Sequence, residues 1–288
     1  MFFSICIPTY NRAKYIVRTL ESLRKQLFKD FEVIVVDDGS VDETQQCVEK
    51  FNDLHIKYLK KENGGKHSAL NVGLNESRGF FFLVLDSDDV LKANALQEMY
   101  DIWNKAPTKE KICGVMGRCA ENGKLIGIPF EKSEMSYIEF HFGVNGGKYR
   151  DCCECVRLEL LKKYKWPEIP HCKFVPEAYV YDKIGLSYNL LCTNEVLEEK
   201  EYLASGITKN KKENFEKNAA GYLVDLVDKI ENIFPNASVR LKYRVVIWWK
   251  YWRLVDLDAE GYGPRCNRIT LFGYVVKLLK PFLDLMRG

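Results

Sequence analysis

Residues 80–89 read Phe80-Phe81-Phe82-Leu83-Val84-Leu85-Asp86-Ser87-Asp88-Asp89. Six apolar residues, aromatic and branched, suit a strand buried on both faces, and the run stops at four residues of which three are carboxylates. A chain with this stretch must build a sheet covered on both sides and must hold acids at the end of one of its strands. Carboxylates crowded there repel one another, and a divalent cation carrying a phosphate group is the simplest compensation. The alternative is a solvated acidic turn that caps the next helix, since Asp and Ser are good N-cap residues.

The same unit recurs along the first hundred residues. A first strand, residues 3–8, ends in Pro8-Thr9-Tyr10-Asn11-Arg12, and Asn11 is expected to cap a helix whose Ile16, Leu20, Leu23 and Leu27 share one face. Residues 31–36 form a continuous apolar strand followed by Asp37-Asp38-Gly39-Ser40. Ser40-Val41-Asp42-Glu43 then has the S-x-x-E form of a capping box, for a helix with Val48 and Phe51 inward. A third strand at residues 55–59 leads through Glu62-Asn63-Gly64-Gly65-Lys66-His67 into a helix carrying Ala69, Leu70, Val72 and Leu74. Residues 91–103 supply the helix after the acidic turn. Alternating strands and helices predict an α/β fold, with a mostly parallel central sheet flanked by helices. In such sheets ligands bind outside the carboxyl ends of the strands, so Thr9, Asp37, Asp38, Asp86 and Asp88 are expected to converge on one edge.

A net charge of +3 and a pI near 8.2 are too mild for a nucleic-acid binder, which usually has a pI above about 9. The 10 cysteines are scattered through core-like surroundings and follow no secretory signal, which predicts a reducing cytosol. Cys152-Cys153-Glu154-Cys155 lacks a second CxxC, so these residues read as buried or site-lining thiols in preference to a zinc site completed by His171 and Cys172. No stretch reaches the roughly 18–20 apolar residues of a membrane span.

Glycine-rich phosphate cradles fail on inspection. Lys60 stands where a P-loop needs its first glycine and His67 where it needs Ser or Thr, and the turn after strand one carries no GxGxxG. What the chain does carry, in order, is Ser4-Ile5-Cys6-Ile7-Pro8-Thr9-Tyr10-Asn11, then Val36-Asp37-Asp38-Gly39-Ser40, then Asn63-Gly64-Gly65 with Asn71, then Leu85-Asp86-Ser87-Asp88-Asp89. In these motifs it resembles the family 2 glycosyltransferases of the GT-A fold, over about the first third of the chain and more weakly to roughly residue 200.

The resemblance implies a donor that is a nucleoside-diphosphate sugar, usually a UDP-sugar. It places Pro8, Thr9 and Asn11 beside the nucleoside, with Asp37, Gly39 and Asn71 in the motifs around it. Asp38 would accept from the base's ring N–H, Asp86 would lie near the ribose and a metal-bound water, Ser87 would belong to the donor-binding residues, and Asp88, with Asp86, would ligate Mg²⁺ or Mn²⁺. Such a cation prefers oxygen ligands and would neutralise charge on the departing diphosphate, with Lys66 or Arg12 assisting. A solvated lysine at a helix start is the plainer reading of Lys66. Transfer with inversion also needs a base for the acceptor hydroxyl. The family carries a Glu-Asp pair at a helix start; here Glu177 matches the Glu and Ala178 stands where the Asp should be. Either Glu177 or Asp182 would then be the base, while Glu177 as a carboxylate favouring the helix dipole is the structural alternative.

Residues 111–128 read as a hairpin turning at Glu121-Asn122-Gly123-Lys124. Arg150, Asp151 and Glu154 follow a glycine-bearing loop and are candidate sugar contacts. Residues 201–212, with Ser205-Gly206 and a basic run, would close over the diphosphate and keep water out. Residues 1–208 are therefore expected to form the catalytic domain, its nucleotide-sugar half at about 1–120 and its acceptor half at about 121–208, with residues 209–288 a helical extension. In that extension residues 245–254 and 269–286 mix aromatic and aliphatic residues with cations. This suits a membrane interface, core packing or a homodimer contact. The first would put the protein at the inner face of the cell membrane, acting on a lipid-linked saccharide of a surface polysaccharide. Two other readings compete: a GT-A-fold binding protein without turnover, which Ala178 would permit, and a sugar nucleotidyltransferase, whose glycine-rich basic loop is missing.

Overall fold

The structure is a computed structural model of the chain and describes residues 1–203, 209–258, 260–267 and 269–287. The first half contains β1 (Phe3–Thr9), α1 (Ala13–Arg24), β2 (Phe31–Asp37), α2 (Thr44–Val48), β3 (Ile56–Lys60), α3 (Lys66–Glu76), β4 (Phe81–Val84), β5 (Val90–Leu91) and α4 (Ala95–Lys105). The second contains β6 (Ile112–Glu121), β7 (Lys124–Leu125), β8 (Glu134–Ser136), α5 (Tyr137–Phe142), β9 (Cys152–Arg157), α6 (Leu158–Leu161), α7 (Ala178–Gly185) and β10 (Asn189–Glu199). Helices follow: α8 (Lys211–Lys217), α9 (Ala219–Asp228), a π-helical turn (Lys229–Ile233) running into α10 (Phe234–Asn236), α11 (Leu241–Leu257) and α12 (Leu271–Arg287).

The strands make one sheet in the order β3-β2-β1-β4-β9-β6-β10-β5, with β7 on β6 and β8 on β10. Its first four strands are parallel, and so are β6 and β10. Between these blocks β9 runs antiparallel to both β4 and β6. The sheet is thus less uniformly parallel than the βα alternation predicts, because β9 enters it from the opposite end. Its first residues, in place of its last, reach the edge where the parallel strands finish.

Side chains alternate between two cores as strand geometry requires. Ile5 and Ile7 meet Leu20 and Leu23 on one face, while Cys6, Ile34 and Val36 meet Ala69 and Leu70 on the other. Phe81, Phe82, Leu83 and Leu85 are buried as expected, but Phe80 precedes the strand and is 41% exposed. The hairpin forms at Asn122-Gly123, where both residues have positive φ.

Two local expectations are corrected. Asn11 does not cap α1; it has φ 51° and its Oδ1 accepts from Val41 N–H at 2.9 Å. The free amides at the start of α1 are satisfied from the turn after β2: Asn11 N–H donates to Ser40 Oγ (2.8 Å), Arg12 N–H to Thr44 Oγ1 (3.0 Å) and Ala13 N–H to Asp42 Oδ2 (3.1 Å). With Ser40 committed across the chain, the capping box at residues 40–43 does not form, and Asp42 takes the α2 start by accepting from Thr44 N–H. Competition for the same hydroxyl decides this, and it ties the first two turns rigidly together.

Beyond residue 208 the aromatic stretch is interior. Trp248, Trp249, Tyr251 and Trp252 of α11 are buried against α9, joined by Ile138 and Phe142 of α5. Residues 245–254 therefore pack a core and do not offer a membrane face.

Candidate functional site

The register of the parallel strands sets the site. Thr9 pairs with Asp37, Cys6 with Val84, and Leu85 N–H donates to Cys6 C=O at 2.9 Å, so the acidic turn starts level with the ends of β1 and β2. Beyond this edge opens a cleft of ≈ 900 Å³, of the size that holds an organic ligand. Pro8, Thr9, Asn11, Arg12, Asp38, Lys66, Asp86, Ser87 and Asp88 line it from one side. Arg150, Asp151, Glu154, Glu177 and Ala178 line it from the other.

The acidic turn is held from α1. Thr19 donates its hydroxyl to Ser87 C=O (3.0 Å) and Asp89 C=O (2.8 Å), and Arg18 Nη2 donates to Asp88 C=O (2.8 Å). These bonds use main-chain oxygens and leave the Asp86 and Asp88 carboxyls to the cleft. Asp88 Oδ2 lies 3.8 Å from Arg12 Nε. Burial, with the charges of Asp86 and Asp89, outweighs this partner and pushes the Asp88 carboxyl up to about 6. Burial also opposes the charge on Asp86, but Lys66 at 2.5 Å, with Lys200 and Arg12 behind it, holds Asp86 below the usual carboxylate range.

Lys66 begins α3 and is not the solvated lysine of the plainer reading. Its Nζ reaches Asp86 Oδ1 and also Glu177 Oε1, at 2.8 Å. Burial favours the neutral amine, yet the two carboxylates hold Lys66 above the ordinary lysine value. The turn before it depends on Gly65, whose φ is 92° and whose added Cβ would lie 2.0 Å from Lys173 C=O. Asp38 fixes this turn: its carboxylate accepts from Lys61 Nζ (2.9 Å), Gly64 N–H (2.9 Å) and Gly65 N–H (2.7 Å).

Three residues of the sequence motifs stand behind the cleft. Asp37 is fully buried and accepts from Ser40 N–H (2.7 Å) and Tyr58 O–H, and Gly39 supplies the positive φ of the same turn. Asn71 donates to Trp166 C=O (2.8 Å) and Glu168 (3.0 Å) and accepts from Trp166 N–H (3.1 Å), fastening the segment that leads to Glu177. These side chains position the walls.

Asp182 is placed elsewhere. Five residues beyond Glu177, it projects from another face of α7, is 1% exposed and lies outside the cleft lining. Its Oδ1 is 2.6 Å from His141 Nδ1 and its Oδ2 is 3.2 Å from Lys229 Nζ, which also meets Asp225. This buried cluster joins α5 and α7 to the C-terminal helices.

Four cleft residues carry no motif that would single them out. His141, keyed by Asp182, lines the cleft with Tyr137 and Tyr181, and Lys200 binds Asp89 (2.6 Å) and Glu198 (2.7 Å) at the end of β10. Glu154 reaches the edge because β9 is reversed; burial, with Glu177 and Glu198 nearby, pushes its carboxyl up to about 8. Ser205 and Gly206 of the expected lid lie outside the described residues, while Glu201, Tyr202 and Leu203 line the cleft. All ten cysteines are free thiols, and among the described residues no group of three or more His, Cys, Asp or Glu side chains is arranged to hold a metal unaided.

The profile of "Glycosyl transferase family 2" matches residues 4–160. An uncharacterized glycosyltransferase of Rickettsia prowazekii is 43% identical over 113 residues, 38% of this chain and 35% of that protein. The poly(ribitol-phosphate) beta-N-acetylglucosaminyltransferase TarS of Staphylococcus aureus is 44% identical over 103 residues, 34% of this chain and 18% of its own. The matched segment is thus about a third or less of each relative. Among solved structures, S. aureus TarS 1-349 in complex with UDP aligns over 100% of this chain and 87% of that one, with TM-score 0.61 and 24% identity. The mannosyltransferase PcManGT of Pyrobaculum calidifontis, in complex with GDP-Man and Mn²⁺, aligns over 98% and 80%, with TM-score 0.57 and 18% identity. The sheet, the acidic turn after β4 and the cleft at the strand ends are those of a GT-A fold, and with the profile covering more than half of its length the chain belongs to glycosyl transferase family 2.

Proposed function

We propose that this chain transfers a hexosyl group, with inversion, from a UDP-sugar to a hydroxyl of a saccharide acceptor carried on a lipid. The observation that carries the reading is that Asp86 and Glu177, on opposite walls of one cleft, converge on the same Lys66 ammonium. This convergence supports a reading in which the donor's diphosphate and the proton acceptor meet within one side chain of each other. The sequence resemblance to a glucosaminyltransferase, and the UDP-bound neighbour of the same fold, support a uridine donor.

Pro8, Thr9 and Asn11 bound the nucleoside, and Asp38 holds the turn against it. A divalent cation, Mg²⁺ or Mn²⁺, fits the residues present: Asp88 is a half-enclosed carboxyl crowded by two further acids, and its oxygens with those of Asp86 are hard donors. Bound there, it would supply charge neutralisation for the diphosphate. Arg12 and Lys66 add positive charge from the protein. Glu177 takes the acceptor hydroxyl's proton as the new bond forms at the sugar's anomeric carbon and the UDP–sugar bond breaks. Donor phosphate competing for Lys66 would release Glu177 for that role. Residues 1–120 serve the donor and 121–208 the acceptor in this division of the chain.

A thermal-shift panel of UDP, GDP, CDP and dTDP, with and without Mn²⁺, tests the donor site, since a ligand selective for the folded state raises stability. A cation-dependent shift with UDP, followed by release of UDP from UDP-GlcNAc in the presence of a saccharide acceptor, is the expected result. Binding without turnover would favour the second reading, a binding protein, for which Ala178 and the Glu177–Lys66 ion pair speak.

A further inference from the structure

Helix α12 is apolar on two sides: Phe272, Val276 and Leu283 pack inward against α11, while a second apolar face is left outward. Leu271, Leu278, Leu279, Phe282, Leu285 and Met286 are all at least half exposed, Leu278 at 81% and Leu285 at 82%. At 100° per residue they fall within an arc of roughly 120°, where a helix of a globular protein normally meets its core. The inner side is fixed by specific bonds to α11. Trp252 Nε1–H donates to Gly273 C=O (3.0 Å), Trp249 Nε1–H to Asp284 Oδ1 (2.7 Å) and Lys280 Nζ to Asp256 Oδ2 (2.7 Å). A Cβ added to Gly273 would lie 2.8 Å from the Trp248 ring, so the helix sits too close to roll over. The second apolar face is held outward along the length of the helix, which is larger than a scattered surface leucine requires.

Charge selects what covers it. The sequence beyond residue 208 carries 15 lysines and arginines against nine aspartates and glutamates, hence +6, whereas residues 1–208 carry 28 against 31, hence −3. Two copies apposed through α12 would bring two +6 regions together; anionic headgroups would neutralise one. No described helix is long and apolar enough to cross a membrane. We infer that the outer face of α12 lies in the interface of an anionic lipid bilayer, with its axis along the surface. This deepens the lipid-linked acceptor of the proposed function and rests on that reading for its purpose.

The test is flotation of the whole 288-residue chain with vesicles of phosphatidylcholine alone or mixed with phosphatidylglycerol, alongside the variant L278E/L285E. Both positions are exposed, so the variant should keep the thermal midpoint and the UDP-induced shift of the parent. The expected result is binding to the mixed vesicles that falls by at least about tenfold in the variant and on neutral lipid. Absence of binding by the parent, or equal binding by the variant, overturns the inference. So does a concentration-dependent dimer in sedimentation that the variant abolishes while vesicles stay unbound. Flotation that persists in a protein showing no UDP shift supports the lipid surface and counts against the transfer reaction alone.

Discussion

Lys66 Nζ lies 2.8 Å from Glu177 Oε1, joining the start of α3 to the start of α7 across the cleft. If Glu177 is the proton acceptor, Glu177→Gln should lower the transfer kcat by about 10²–10⁴ with UDP affinity changed only a few-fold. Lys66→Met should weaken UDP binding as well, because it removes positive charge from the diphosphate edge. Steady-state transfer rates and calorimetric UDP titrations separate the two patterns, and an unaltered kcat in Glu177→Gln would remove the assignment.

If Asp88 holds the cation, function and stability pull in opposite directions there. Its carboxyl is crowded by Asp86 and Asp89, so Asp88→Asn should stabilise the free protein, on the order of 1 kcal/mol. The same change should abolish the Mn²⁺-dependent part of the UDP shift. Chemical denaturation and the nucleotide panel read these outcomes on one sample, and a destabilised variant with full Mn²⁺ dependence would contradict both.

Asp182 should behave as a structural acid. Asp182→Ala leaves Lys229 and His141 without their shared carboxylate, in a cluster that is otherwise buried. Breaking such a pair costs about 3–5 kcal/mol. Activity in this variant should be lost together with the cooperative unfolding transition, whereas Glu177→Gln keeps its thermal midpoint. A stable Asp182→Ala protein lacking activity would instead return Asp182 to the chemistry.

Glu154 gives a pH signature. Its ordinary value of 4.5 is raised to about 8 in the folded chain by burial and by Glu177 and Glu198. Between those values the folded protein keeps a proton that the unfolded chain has released. The stabilisation is full below 4.5 and is lost as pH rises through about 8, with a limiting slope near 1.4 kcal/mol per pH unit. The thermal midpoint should therefore fall over this window, and Glu154→Gln, which has no charge to gain, should fall less. Parallel curves for the two proteins would argue against the buried acid.

What the chain determines by itself is local and periodic. The apolar runs at residues 31–36 and 81–85, each ending in acids, specify buried strands with carboxylates at one end. The turn pairs Asn122-Gly123 and Gly64-Gly65 mark where the backbone reverses. From these the α/β class, the acidic edge and most of one wall of the cleft were legible. Which residues face a ligand was decided by partners distant in sequence. Asp37 and Asp38 are neighbours in one motif, yet Tyr58 draws the first inward and the Gly64-Gly65 amides hold the second at the cleft. Glu177 and Asp182 look equivalent as acids of one short helix, and helical rotation sends one to Lys66 and the other to His141 and Lys229. Glu154 reaches the site only because β9 runs against its neighbours, and one apolar face of α12 stays outward because tryptophans of α11 bind the helix at Gly273 and Asp284 and hold Val276 inward. Strand direction, helix phase and competition for a shared hydrogen-bond partner arise between segments, so no local pattern records them.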